Sequence, residues 1–257
     1  MILSKPGHRA SLPGLVLVLD ISPAACYTIF ESIIHERMIT MDKLTLASKI
    51  DHTLLKPEAT QEQILKICAE AREYHFASVC VNTTWADTVT EALRGSGVKT
   101  CCVVGFPLGA MSTEAKCAET KYAVEHGAGE VDMVINIGWA KAGLFEEVGT
   151  EIAAIVKAAA PAKVKVIIET CLLTDEEKIA VCRAAARAGA EFVKTSTGFS
   201  TGGATEADVR LMKEASGIKV KASGGIRDYD TAMKMLSAGA DRIGASAGIA
   251  IVNSCTD

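Results

Sequence analysis

Two lysines stand where a catalyst has a use for them and a packed core has none. Lys194 closes the run Glu191-Phe192-Val193-Lys194 and is followed by Thr195-Ser196-Thr197-Gly198. Lys221 closes Ile218-Lys219-Val220-Lys221 and is followed by Ala222-Ser223-Gly224-Gly225. Each short apolar run reads as a buried strand with the lysine at its C-terminal end. A buried ammonium is costly unless it loses its proton or finds a partner. Two of them side by side are expected to push each other toward the neutral amine, a nucleophile that forms Schiff bases with carbonyl compounds. The expected chemistry is therefore carbonyl chemistry without a cofactor.

Acids and small residues at the ends of other apolar runs extend the pattern. Asp132 lies inside Glu130-Val131-Asp132-Met133-Val134-Ile135, where an acid needs a cationic partner. It could serve as the lysines' counter-ion, relay protons to and from an imine, or do both. Glu169, after Val166-Ile167-Ile168, reads as a positioning residue more than as the proton donor. Asp51 and Thr53 end the first apolar run, Cys80 and Asn82 the second, and Asn136 follows the fourth. Cys80 reads as core or pocket wall, because a nucleophilic cysteine calls for a histidine that the sequence does not place beside it.

The elements that must hold these residues alternate along the chain. Strand-like runs fall at Ile50–Leu55, Ala77–Val81, Val98–Val104, Glu130–Ile135, Val164–Glu169, Phe192–Lys194, Ile218–Ala222 and Asp241–Gly244. Helical periodicity lies between them, sharpest at Thr60–Tyr74, where Thr60 and Gln63 form a capping box, and at Thr174–Ala188, whose first turn is acidic. A short helix is expected near Ala247. Ala188-Gly189-Ala190 and Ala238-Gly239-Ala240 repeat the same helix-to-strand turn. Eight strand–helix units predict an α/β fold, a (β/α)₈ TIM barrel forming a single domain with an N-terminal extension. The alternative is a doubly wound open sheet, but no G-x-G-x-x-G follows the first strand.

In such a barrel the polar residues at the strand ends share one rim, with Lys194 and Lys221 on neighbouring strands. Either lysine alone could be a structural ion pair with Glu169 or Asp132. Two together favour catalysis. Glycines complete the rim: Gly198, Gly202 and Gly203 after the sixth strand, Ser223-Gly224-Gly225-Ile226-Arg227 after the seventh, and Gly244-Ala245-Ser246 after the eighth. Glycine loops leading into helix N-termini after strands seven and eight make a phosphate site. Ser246 reads as a hydroxyl contact, and Arg227 as either an added charge or a solvated residue. An amine, an acid and a phosphate cradle suggest a sugar-phosphate or aldehyde-phosphate substrate and carbon–carbon bond chemistry through an enamine.

The bulk properties fit. The chain has 257 residues, 49% of them hydrophobic, and a formal net charge of −4. Its lysines and arginines are scattered, which leaves no electrostatic footprint for nucleic acid. Nine cysteines, an odd number without a C-x-x-C pair, read as reduced buried thiols, and five dispersed histidines without H-E-x-x-H give no zinc signature. Residues 1–40 read as an N-terminal extension, poorly ordered or not part of the barrel, and 41–257 as the barrel domain. Leu12–Leu19 with Lys5, His8 and Arg9 before it weakly resembles a secretory signal, but Pro13, Gly14 and Asp20 interrupt it, and it is too short to span a membrane.

From about Leu46 to Val252 the chain resembles the deoxyribose-phosphate aldolases. The segments that carry the resemblance are Ile50-Asp51-His52-Thr53-Leu54-Leu55-Lys56-Pro57, Val79-Cys80-Val81-Asn82, Val103-Val104-Gly105-Phe106-Pro107-Leu108-Gly109, Glu130 to Asn136, Val193 to Gly198 and Val220 to Arg227. The resemblance implies reversible cleavage of 2-deoxy-D-ribose 5-phosphate to acetaldehyde and D-glyceraldehyde 3-phosphate, in deoxyribonucleoside breakdown. Lys194 then occupies the Schiff-base position, Lys221 that of the second lysine, and Asp132 that of the relay aspartate. Asp51 and Thr53 match residues near the substrate hydroxyls, Cys80 a pocket cysteine, and Gly198, Gly225, Gly244 and Ser246 the phosphate site. No metal or organic cofactor is implied. A cytoplasmic homodimer or higher oligomer is implied, with no membrane and no nucleic-acid partner. Phe199 stands where some members carry a lysine near the phosphate, and Ala247 where many carry a second serine. Two rivals remain: a phosphate-binding isomerase or epimerase working by carboxylate or histidine pairs, and a non-catalytic sugar-phosphate sensor on the same fold.

Overall fold

A computed structural model describes residues 41–255. The expectations for residues 1–40, the signal-like run included, lie outside the described residues. The eight strands are β1 (Ile50–Leu54), β2 (Ser78–Val81), β3 (Lys99–Val104), β4 (Glu130–Val134), β5 (Lys163–Ile167), β6 (Phe192–Lys194), β7 (Lys219–Ser223) and β8 (Arg242–Ala245). All pair in parallel, in sequence order, and β8 closes on β1. The barrel is the TIM type expected, and the open-sheet alternative falls with that closure.

The helices are α1 (Lys43–Ala47), α2 (Gln61–Tyr74), α3 (Ala86–Ala92), α4 (Thr113–Glu125), α5 (Ile137–Lys141), α6 (Phe145–Ala159), α7 (Asp175–Arg187), α8 (Glu206–Ser216), α9 (Tyr229–Ser237) and α10 (Gly248–Asn253). Both capping boxes form as their sequences require: Thr60 with Gln63 opens α2, and Thr174 with Glu177 opens α7. The repeated Ala-Gly-Ala turns close α7 and α9. Ala190 N donates to Ala185 O at 3.1 Å and Ala240 N to Met235 O at 3.0 Å, across Gly189 and Gly239 at positive φ. The short helices α1 and α5 carry too few residues for a legible period, and the sequence does not announce them.

Strand parity divides the side chains. Val131, Met133, Val166, Val193, Val220 and Ile243 point outward and pack with Ile64, Ile152 and Ile155 of the helices in one buried cluster. The alternate residues point into the barrel, and those are the polar ones. One buried ion pair serves the outer layer. Lys116 of α4 donates to Glu151 Oε1 of α6 and to Val134 O, both at 2.8 Å. Glu151 Oε2 accepts from Asn136 N at 2.9 Å, which fixes the exit of β4 two residues beyond its last inward position. Burial pulls the Lys116 ammonium down and pushes the Glu151 carboxyl up. No helix among the described residues is long and apolar enough to cross a membrane.

Candidate active site

Register decides which side chains meet. Lys194 and Lys221 are direct neighbours across β6 and β7, and Asp132 is paired with Lys165 across β4 and β5. All four point inward, where the barrel axis brings them to one carboxylate. Asp132 Oδ2 accepts from Lys194 Nζ and from Lys221 Nζ, each at 2.7 Å, while Oδ1 accepts from Lys165 Nζ at 2.8 Å and from the Cys101 thiol at 3.1 Å. Lys221 Nζ lies 2.6 Å from Asp51 Oδ2, whose other oxygen accepts from Arg242 and from Ser78 Oγ at 2.6 Å each. Lys165 reaches Glu130 at 2.5 Å. Lysines 165 and 221 and aspartates 51 and 132 have no exposed surface, and Lys194 only 3%. Lys194 therefore tops a buried charged layer and is the member of it that lines the cavity above.

The field in this layer is not the one expected from two lysines alone. Burial disfavours the charge on Lys221, but the carboxylates of Asp132 and Asp51 outweigh it and hold the ammonium well above the usual lysine range. Lys165 is raised in the same way, with Asp132 the leading attraction. Mutual repulsion between lysines does not neutralise Lys221. Burial likewise disfavours the charge on Asp132 and on Asp51, but lysines 165, 194 and 221 around the first, and lysines 221 and 165 with Arg242 around the second, hold both carboxyls well below the usual range. Their contribution to stability is full above the unfolded carboxylate range, about pH 4, and is lost as pH falls below it. Lysines 165 and 221, being raised, contribute fully below about pH 10 and lose that contribution as pH rises further. The midpoint of urea unfolding is expected to stay level between about pH 5 and pH 9 and to fall on either side. A midpoint that climbs steadily through that window would contradict it.

Above Lys194 opens a cavity of about 380 Å³ lined by Thr53, Lys56, Lys194, Gly198, Phe199, Ser223, Gly224, Gly225, Arg227, Gly244 and Ser246. Gly198, Gly224 and Gly225 all have positive φ, near 85°, a conformation glycine adopts without strain. Gly203 admits no side chain, since a Cβ there would lie 2.2 Å from Gly224 O, and Ala204 N donates to that same carbonyl at 3.1 Å. Thr53, Gly198, Gly224, Gly225, Gly244 and Ser246 thus stand together at the cavity, while Gly202 and Gly203 do not line it. Asp51 and Cys80 do not line it. They lie in the closed layer beneath, Asp51 as an ion-pair partner and Cys80 between β1 and β3 beside Cys101 and Asp132.

Glu169 lies beyond the strand that it is expected to end. β5 ends two residues before it, and neither lysine pairs with it. It takes a left-handed conformation, φ 55°, and turns its carboxylate to accept from Thr197 N, at 3.2 and 3.3 Å, and from the Thr197 hydroxyl. Thr197 Oγ1 in turn accepts from Phe199 N at 3.0 Å. Glu169 holds the loop after β6, the positioning role read from sequence. Phe199, half exposed, meets Phe106 edge to face with centroids 5.2 Å apart. Cys80, Cys101 and Asp132 bring ligand atoms within 4.8 Å of one another, but three ammoniums already crowd that carboxylate, so the set suits a metal cation poorly.

Sequence reasoning missed Lys165, Glu130, Arg242 and Lys56. The first three carried a signal. Lys165 has the parity of Ile167 on β5, Glu130 that of Asp132 on β4, and Arg242 that of Gly244 on β8, and each therefore points inward.

A family model of the DeoC/LacD aldolases matches residues 44–254. The chain belongs to the DeoC/LacD aldolase family. Among curated DeoC/LacD relatives, the deoxyribose-phosphate aldolase of Clostridium tetani is 62% identical over 206 residues, covering 79% of this chain and 95% of the relative. That of Streptococcus gordonii is 59% identical over 211 residues, covering 81% and 96%. A solved deoxyribose-phosphate aldolase from Aeropyrum pernix, described as a unique tetramer, superposes with a TM-score of 0.81 at 36% identity, covering 87% of this chain and 97% of that one. The residues that the family model matches hold the whole barrel, and so every member of the charged layer and every glycine of the cradle.

Proposed function

We propose that this DeoC/LacD aldolase is a class I enzyme that reversibly cleaves 2-deoxy-D-ribose 5-phosphate to D-glyceraldehyde 3-phosphate and acetaldehyde through a Schiff base on Lys194. The observation that carries the reading is the single oxygen, Asp132 Oδ2, shared at 2.7 Å by Lys194 and Lys221 directly beneath the cavity. An isomerase or a sensor has no use for two amines on one carboxylate. Four basic groups (Lys165, Lys194, Lys221, Arg242) face three carboxylates (Asp51, Glu130, Asp132) in the layer. Lys194 is the member of that layer whose side chain lines the cavity.

The neutral Lys194 amine adds to C1 of the open-chain sugar, and the carbinolamine loses water to give the iminium. Loss of the C3 hydroxyl proton then breaks the C2–C3 bond. Its electron pair moves into the C1–C2 enamine while C3 becomes the aldehyde of glyceraldehyde 3-phosphate. Protonation at C2 and hydrolysis release acetaldehyde and the free amine. Asp132 Oδ2 links Lys194 to Lys221 and relays protons between them, taking one from one amine as it returns one to the other. Thr53 faces the cavity for a substrate hydroxyl, and the backbone of Gly198, Gly224, Gly225 and Gly244 with Ser246 receives the phosphate. A cytoplasmic oligomer with no further cofactor fits this reading, as does the relative's tetramer. The test is release of glyceraldehyde 3-phosphate from 2-deoxyribose 5-phosphate, followed through a coupled reduction. Absence of turnover by folded protein would sink the proposal.

The cradle makes its own prediction. Gly203→Ala forces Gly224 O away and is expected to raise KM for the phosphorylated substrate about tenfold or more, with a smaller change in kcat. An unchanged KM would remove the Gly224 loop from phosphate binding.

A further inference from the structure

The cradle lacks a side-chain cation on its β6 side, where Phe199 stands, yet a dianionic phosphate gains most from a fixed charge beside backbone N–H groups. Barrel closure supplies another side. β8 pairs with β1, His52 opposite Ala245, so the exit of β1 lies next to the exit that carries Ser246. Three residues past His52, Leu55 is buried with Cys80, Cys101, Val103 and Phe106, and its carbonyl accepts from Asn82 Nδ2 at 3.3 Å. Pro57 confines Lys56 to extended backbone, and Lys56 O accepts from Ala59 N at 3.1 Å. The base of Lys56 is thus held on both sides. Its side chain lines the same cavity as Gly198, Gly225 and Ser246, and among the described residues no carboxylate lies within 4.0 Å of its Nζ. The nearby groove it also borders contains Glu58 and Glu70, but Glu70 is already taken by His52 at 2.7 Å and Lys66 at 4.0 Å.

We infer that Lys56 is a phosphate-binding cation of this site, supplying from the β1 exit, across the cavity that Arg227 also lines, the charge that the β6 exit lacks. The inference rests on the aldolase reading and deepens it. Lys56 makes the enzyme select a terminal phosphate monoester, and takes no part in the covalent steps at Lys194.

The test compares kcat/KM for 2-deoxyribose 5-phosphate with that for 2-deoxyribose in the wild type, Lys56→Gln and the double variant Lys56→Gln/Phe199→Lys. Wild-type turnover is measured first, so that failure of the aldolase reading shows itself separately. The expected result is a fall of the phosphate-to-sugar preference by about tenfold or more in Lys56→Gln, carried mainly by KM, with most of it regained when Phe199→Lys returns a charge from the other side. An unchanged preference overturns the inference. So does a fall that Phe199→Lys leaves in place, since that would assign Lys56 to loop shape and not to charge.

Discussion

Lys194→Ala is expected to lower kcat for 2-deoxyribose 5-phosphate cleavage by about 10⁴-fold or more, the scale of losing a covalent nucleophile. The loss should not come from unfolding. Asp132 keeps Lys165 at 2.8 Å and Lys221 at 2.7 Å when Lys194 is gone, so no carboxylate is orphaned. Lys194→Arg sharpens the point: it keeps a cation beside Asp132 but offers no amine that forms an imine, and it should be as inactive as the alanine variant. Both are checked by steady-state kinetics beside circular dichroism. Turnover within tenfold of wild type in either would exclude a Schiff base at this position.

Lys221→Leu is expected to cost about 10²- to 10⁴-fold at neutral pH for a different reason. Lys221 is held as an ammonium by Asp132 and Asp51, and it shares Oδ2 with Lys194. A positive charge fixed that close works against a second one on the same oxygen. Without Lys221, Asp132 keeps Lys194 and Lys165, and Asp51 keeps Arg242. The variant's kcat/KM is expected to rise with pH more steeply than that of the wild type. Because Asp51 loses a partner, stability is measured in parallel by urea unfolding. A variant uniformly slow across pH would mean that Lys221 delivers protons and does not tune its neighbour.

Much of this site is legible in the sequence alone, and the reasons differ by residue. Lys194 and Lys221 stand out because a long cation after a β-branched run is out of place in any core. Their pairing follows from consecutive strands in a parallel barrel. Asp132 is legible for the same reason. The charged layer beneath is not, because Lys165 sits amid valines whose outward face dominates the pattern, and Glu130 and Arg242 look like ordinary strand starts. Only the closed barrel shows that β1, β4, β5 and β8 aim those side chains at one axis. Without that layer the expected field at Lys221 has the wrong sign, since carboxylates outweigh the neighbouring ammoniums there. Asp51 reads as a rim residue because its short run offers no internal mark of depth. Register sets it one inward position below Thr53, against Ser78 and Gly244. The place of Glu169 depends on the chain leaving β5 at Ile167 and turning left-handed, something no period reveals.

The central claim is that Lys194, and not either buried lysine beneath it, forms the imine. Borohydride reduction of the wild type in the presence of 2-deoxyribose 5-phosphate, followed by peptide mass mapping, tests it directly. The expected result is a single reduced adduct on Lys194, with the peptides containing Lys165 and Lys221 unmodified. An adduct on Lys221, or none on protein that turns over the substrate, would contradict it.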